Sequence, residues 1–255
     1  MLMKFTVIEV KTQPNLKRIE EYARRYGMTP EEALEKKRIG DDYFPIRDQQ
    51  IVSVGLLNLF SDKEDSVSVM AAVYAGEEKK VLEETAKKLE KIVKATGKPF
   101  FITGDGRKYA LEILGGRAMA YMIEAKRADQ EIIPELKDMI RLITSQKNGY
   151  LKPFDFRDSV DLQAMLGLGS DRTPLPDGLK YDNKSLPALA EETKSTVLDM
   201  AVNYAAYLEA QGEKIKPVVY KLNEKIFKTV EIFEFPEKKE QEQEIETDES
   251  DIDIN

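Results

Sequence analysis

Apolar positions along this chain follow two periods, and the switches between them mark out the elements. Residues 4 to 13 read Lys-Phe-Thr-Val-Ile-Glu-Val-Lys-Thr-Gln and stop at Pro14. Phe5, Val7, Ile8 and Val10 are too dense for a strand wet on one face, and predict a central strand buried on both. Leu16, Ile19, Tyr22 and Ala23 then recur at helical spacing, with Gly27 as the stop. Thr29-Pro30-Glu31-Glu32 supplies an N-cap, a first-turn proline and acids for a second short helix. Both helices read as insertions between the first two strands. Residues 50 to 58 and 66 to 74 predict strands two and three, with a turn near Asp62 to Asp65. Val81, Leu82, Ala86, Leu89, Ile92 and Val93 predict a long amphipathic helix that Gly97 and Pro99 end. Residues 99 to 103 predict a fourth strand, and Gly104-Asp105-Gly106 turns into a helix carrying Leu111, Ile113, Leu114, Ala118 and Tyr121.

Residues 134 to 145 predict another amphipathic helix, with Pro134 at its first position. Residues 167 to 183 are rich in Gly, Pro and Asp and read as loop. A short helix around residues 185 to 190 and a final helix over 196 to 210 follow. From Lys216 the period returns to two. Val218, Tyr220 and Leu222 predict one strand. In a second, Phe227, Thr229, Glu231 and Phe233 share one face and Ile226, Val230 and Ile232 the other. Asn223-Glu224 is the turn between them. Residues 216 to 236 thus predict a β-hairpin appended to a domain over residues 1 to 215, packed on the domain or paired across a subunit boundary in a homo-oligomer. Periodicity alone gives a mixed α/β domain.

Charge changes that picture at the C-terminus. The chain has 255 residues and a net charge of −8. Residues 237 to 255 hold nine acids and two bases, a net −7, so the remaining 236 residues carry only −1. That stretch is self-repelling and poor in aromatics, and reads as a disordered acidic tail. A near-neutral body leaves room for basic patches. The chain contains no Cys, His or Trp. Disulfides, thiolate metal sites, His-based acid–base catalysis and most zinc chemistry are thereby excluded. No apolar run approaches the roughly 18 residues of a membrane span, and Lys4 interrupts any start of a signal peptide. A cytoplasmic protein without membrane partners is expected.

Two charges inside the first strand carry the candidate chemistry. Glu9 and Lys11, at i and i+2, point to one face where a buried strand emerges. Read from the residues, they are a salt-bridged pair at a strand end. The stretch Val7-Ile8-Glu9-Val10-Lys11-Thr12-Gln13-Pro14 also resembles the "hydrophobic, Asp-x-Glu-Thr-x-Pro" opening of the DEDD 3′–5′ exonucleases, closest to the domains related to the proofreading domain of family B DNA polymerases. Thr103-Gly-Asp-Gly-Arg-Lys-Tyr-Ala-Leu-Glu-Ile-Leu114 resembles that family's "Asn-Gly-x-x-Phe-Asp-x-Pro-x-Leu" motif. Residues 156 to 165 resemble its "His-Leu-Asp-Leu-Met" segment, keeping Asp161 and Leu162. Ser185-Leu-Pro-Ala-Leu-Ala190 resembles its "Ser-Leu-Asp-x-Leu-Ala" helix, with Pro187 in place of the Asp. The final helix stands where the family carries "Tyr-Cys-x-x-Asp-Val". The resemblance covers roughly residues 4 to 212. It implies an α/β, ribonuclease-H-like mixed sheet flanked by helices.

What the resemblance implies for chemistry is a defect. In the family four carboxylates hold two divalent metals, which stabilise the attacking and leaving oxygens. The corresponding positions here are Glu9, Lys11, Ala110 and Asn203, so one acid remains of four, beside a fixed cation. The expectation is a degenerate exonuclease that keeps the groove, uses no metal and binds single-stranded nucleic acid, such as single-stranded DNA in replication or repair. An active enzyme would need Mg²⁺ or Mn²⁺ and a shifted acid set (Asp105, Glu112, Asp161, Asp199). An accessory subunit that binds only protein is a third reading.

Lys11, Arg107, Lys108 and Tyr109 are the candidate nucleic-acid contacts near the two motifs. Downstream, Lys147, Lys152 and Arg157 interleave with Tyr150, Phe154 and Phe156, so that cations can track phosphate while rings stack on bases. The alternative is an ordinary loop whose aromatics pin it to the core. The tail ends Asp251-Ile252-Asp253-Ile254-Asn255. It resembles the acidic tails of single-stranded-DNA-binding proteins, which implies recruitment of replication partners and competition for the basic groove. A purely solubilising tail is the other reading.

Overall fold

A computed structural model describes residues 4–37, 48–63, 66–103, 109–146, 181–210, 212, 213, 215 and 219–236. The strands are β1 (Lys4–Pro14), β2 (Gln49–Lys63), β3 (Ser66–Gly76), β4 (Phe101–Thr103) and β5 (Val230–Phe233). They form one mixed sheet in the order β4-β1-β2-β3-β5. β1, β2 and β3 are antiparallel neighbours, while β4 runs parallel to β1 and β5 parallel to β3. The helices are α1 (Leu16–Tyr26), α2 (Pro30–Lys37), α3 (Glu78–Thr96), α4 (Tyr109–Arg127), α5 (Pro134–Gln146) and α6 (Leu186–Ala210). Among the described residues no helix is long and apolar enough to cross a membrane.

The density of apolar residues in β1 has the expected cause. Phe5 and Val7 enter one core with Leu57, Leu59 and the α6 residues Leu189, Val197 and Ala201. Ile8 enters the other, with Leu56, Leu82, Leu89, Leu114 and Met139 from the face covered by α3, α4 and α5. β1 is therefore an interior strand sandwiched between two helical layers. α1 and α2 stand apart as a satellite built on Ile19, Ala23 and Ala33. Gly27 ends α1 in the left-handed conformation at φ 62°, where its lack of a Cβ is needed. The capping box at α2 is formed: the Glu32 N–H donates to Thr29 Oγ1 at 3.2 Å, and the Thr29 N–H to Glu32 Oε2 at 2.8 Å.

The C-terminal region departs from the predicted hairpin. Its second strand forms, as β5, but pairs with β3 at the sheet edge. Of its expected first strand, Val219–Lys221 is a 3₁₀ turn, and Glu224–Ile226, expected at the hairpin turn and the start of the second strand, is another. The 3₁₀ period of three sets Val219 and Leu222 on one side, against the core under α6. Residues 216 to 218 lie outside the described set, as does the tail from residue 237. The two helices predicted around residues 185 to 190 and 196 to 210 are one helix of 25 residues. Pro187 sits in its first turn, where a proline costs no intrahelical hydrogen bond.

Candidate functional site

β1 presents Phe5, Val7, Glu9 and Lys11 to the face that α6 covers. Phe5 meets Tyr204 edge-to-face with ring centroids 4.9 Å apart, and Lys11 meets Glu192 at 3.3 Å. The six-residue step along β1 spans about 20 Å and the twelve-residue step along α6 about 18 Å, so the two elements lie antiparallel and in register. α6 approaches closely because β2 offers Gly55, the register partner of Glu9, beneath Val197 and Thr193. Nearby, Ser53 Oγ lies 2.9 Å from Thr193 Oγ1, whose own proton goes to the Leu189 carbonyl at 2.8 Å. Ser53 is therefore the donor of that pair. The ladder shifts register between Lys11 and Thr12, a bulge of the kind that re-aims side chains.

The predicted salt bridge is present and larger than expected. Lys11 Nζ lies 3.4 Å from Glu9 Oε1 and 3.3 Å from Glu192 Oε1, with side-chain exposures of 24% for Lys11, 15% for Glu9 and 19% for Glu192. Burial alone would lower the Lys11 ammonium, but the carboxylates of Glu9 and Glu192 outweigh it and hold the group above its ordinary value. Two acids and one base leave the cluster with a net charge of −1. Glu192 Oε2 is buried without a hydrogen-bond partner among the described residues.

Sequence reasoning missed Glu192. The signal was present: Glu192, Thr196, Asp199 and Asn203 recur at helical spacing and flank the apolar stripe of Leu189, Val197 and Ala201. An acid bordering a buried stripe seeks a cation, and Lys11 is the one that β1 supplies.

The other predicted positions do not all join the cluster. Asn203 is buried on α6. It lies eleven residues beyond Glu192, about 16 Å along the helix, and so is not brought to Lys11. Ala110 is buried in the first turn of α4, which follows β4, the parallel neighbour of β1. Of the shifted acid set, Glu112 is exposed on α4 and Asp199 half-buried on α6, helices on opposite faces of the sheet. Among the described residues no three acids are grouped so that they could hold a metal ion. The donor set around Glu9 does not fit a divalent ion, because an ammonium already stands where its carboxylates converge.

Arg107, Lys108, Lys147, Tyr150, Lys152, Phe154, Phe156 and Arg157 lie outside the described residues, as do Asp105, Asp161 and the tail residues Asp251, Ile252, Asp253 and Ile254. Tyr109 is described by its backbone alone, as the first residue of α4. The residues bordering these segments are placed. β4 ends at Thr103, the register partner of Ile8. The Tyr181 N–H donates to Gln13 Oε1 at 2.9 Å. α5 folds back along α4, since a Cβ at Gly115 would lie 3.2 Å from Ile143, so its C-terminal end returns toward the start of α4.

Compared with models of protein families, with curated proteins and with solved structures, the chain matches none.

Proposed function

We propose that this chain is a non-catalytic, single-stranded nucleic-acid-binding protein built on a ribonuclease-H-like scaffold of the exonuclease type. The observation that carries the reading is where two cation-bearing segments attach. Segment 104–108, with Arg107 and Lys108, leaves β4 opposite Ile8 and rejoins the fold at Tyr109. Segment 147–180, with three cations and three rings in its first eleven residues, rejoins at Tyr181 against Gln13. Both junctions flank the carboxyl end of β1, within a few residues of Glu9 and Lys11. In open α/β sheets, ligands bind outside the carboxyl ends of parallel strands. Three antiparallel strands, a helix, a parallel strand and a further helix agree with the scaffold. β5, at the opposite edge, is an addition to it.

Lys11 takes a different part from the phosphate contact expected of it. Held by two carboxylates in a cluster of net charge −1, it offers phosphate no free cation. It acts as an internal counter-charge. Phosphate falls to Arg107, Lys108, Lys147, Lys152 and Arg157, and base stacking to Tyr109, Tyr150, Phe154 and Phe156. Asp251, Ile252, Asp253 and Ile254 recruit replication partners. The test is anisotropy of a labelled oligonucleotide across a salt series in EDTA, with an end-labelled strand and Mg²⁺ or Mn²⁺ as the check for hydrolysis.

A further inference from the structure

Glu9 Oε1 and Glu192 Oε1 both lie within 3.4 Å of one nitrogen, and both side chains are largely buried. The second oxygen of Glu192 is buried and unpartnered among the described residues. Two such carboxylates with nothing between them repel each other and draw in a proton or a cation. Here the cation is covalently attached. It cannot be diluted away or chelated, and a divalent ion approaching the same oxygens would meet the ammonium at a few ångströms. Carboxylate oxygens are otherwise suitable donors for hard divalent ions.

We propose that Lys11 is the resident, tethered cation of a carboxylate site formed by Glu9 and Glu192, and that the tether is what keeps free cations out. Shortening the side chain leaves a latent site for a divalent ion or a small alkylammonium. The inference rests on the metal-free reading of the cluster. No nucleic acid enters its test, so failure of oligonucleotide binding leaves it standing, and its own failure leaves that binding standing.

The test compares wild type, Lys11→Ala and Lys11→Ala/Glu192→Gln. Binding of Mn²⁺ is read from the electron-spin-resonance signal of the free ion. Melting is measured with Mn²⁺, with Ca²⁺ or with methylammonium, each against NaCl at matched ionic strength. Lys11→Ala should bind one Mn²⁺ and melt about 3–6 °C higher with a saturating cation. Wild type and the double variant should show neither effect. If Lys11→Ala is unfolded in EDTA, refolding on addition of cation supports the proposal and no refolding with any cation overturns it. A folded Lys11→Ala that binds no cation, or binds no better than wild type and the double variant, also overturns it.

Discussion

Gly55 on β2 lies so close beneath Val197 on α6 that a Cβ at Gly55 would meet Val197 Cγ2 at 2.6 Å and Thr193 Cγ2 at 2.8 Å. The missing side chain sets the height of α6 above the sheet, and that height sets whether Glu192 reaches Lys11. Gly55→Ala should therefore destabilise the fold by about 1–3 kcal/mol, the usual range for overpacking a core. Urea denaturation of the two proteins measures it. Equal stability would mean that α6 shifts freely and that its height is not set at Gly55.

Lys11 should give alkaline stability a distinct signature. Its folded value is raised above the ordinary 10.5 by Glu9 and Glu192, which outweigh the opposing effect of burial. The stabilisation is then fully present below about pH 10.5 and is lost as pH rises from there toward the folded value. Lys11→Met lacks that contribution. The stability difference between wild type and Lys11→Met should be constant from neutral pH to about 10 and narrow above it. A difference that stays constant through alkaline pH would mean that Lys11 contributes by packing alone.

Much of this was legible in the sequence because local rules agreed with tertiary demands. Phe5, Val7, Ile8 and Val10 demanded burial on two faces, and β1 has helices on both. Gly27 and the Thr29–Glu32 capping box are local signals with local outcomes. The failures were long-range. Alternation around Val230 and Ile232 specifies a strand but not its partner, so β5 was assigned to a hairpin rather than to β3. Residues 185 to 190 and 196 to 210 carry separate helical signals, and nothing local shows that residues 191 to 195 join them into one helix. Glu192 was missed because its partner lies 181 positions away in the chain, and the packing of α6 on the sheet, with its close approach at Gly55, brings the two together. The position inferred at Asn203 was fixed by motif spacing alone, and α6 carries it some three turns beyond the cluster.

A second ion pair sets the frame on the other face. Arg117 on α4 is buried and donates from Nε and Nη2 to Glu78 at 2.8 and 2.6 Å, while Glu78 Oε1 also accepts the Ile51 N–H at 2.8 Å. The pair ties α3, α4 and β2 together. Arg117→Met should cost about 3–5 kcal/mol, because it leaves the Glu78 carboxylate without its counter-charge. Arg117→Met/Glu78→Gln should recover part of the loss. Denaturant midpoints check both, and a double variant no better than the single one would argue against charge burial as the cause.

Deleting residues 237 to 255 removes a net charge of −7. A tethered acidic segment has a high effective concentration at any basic surface on the same molecule. The truncated protein should bind single strands more tightly than the full chain at low ionic strength, with the gap closing as salt screens the competition. Paired salt titrations with one oligonucleotide measure it. Identical affinities at every salt concentration would assign the tail to solubility instead.

Binding of single strands without metal or hydrolysis is read from fluorescence anisotropy of a labelled single strand, titrated with protein in excess EDTA over a salt series. The expected result is a dissociation constant within about 1–100 µM that weakens linearly on a log–log plot as salt rises, with a shallower slope when Lys147, Lys152 and Arg157 are replaced by Gln. The strand should stay intact when Mg²⁺ or Mn²⁺ is supplied. No salt-sensitive binding at micromolar protein, or shortening of the strand that Glu9→Ala abolishes, would contradict the account.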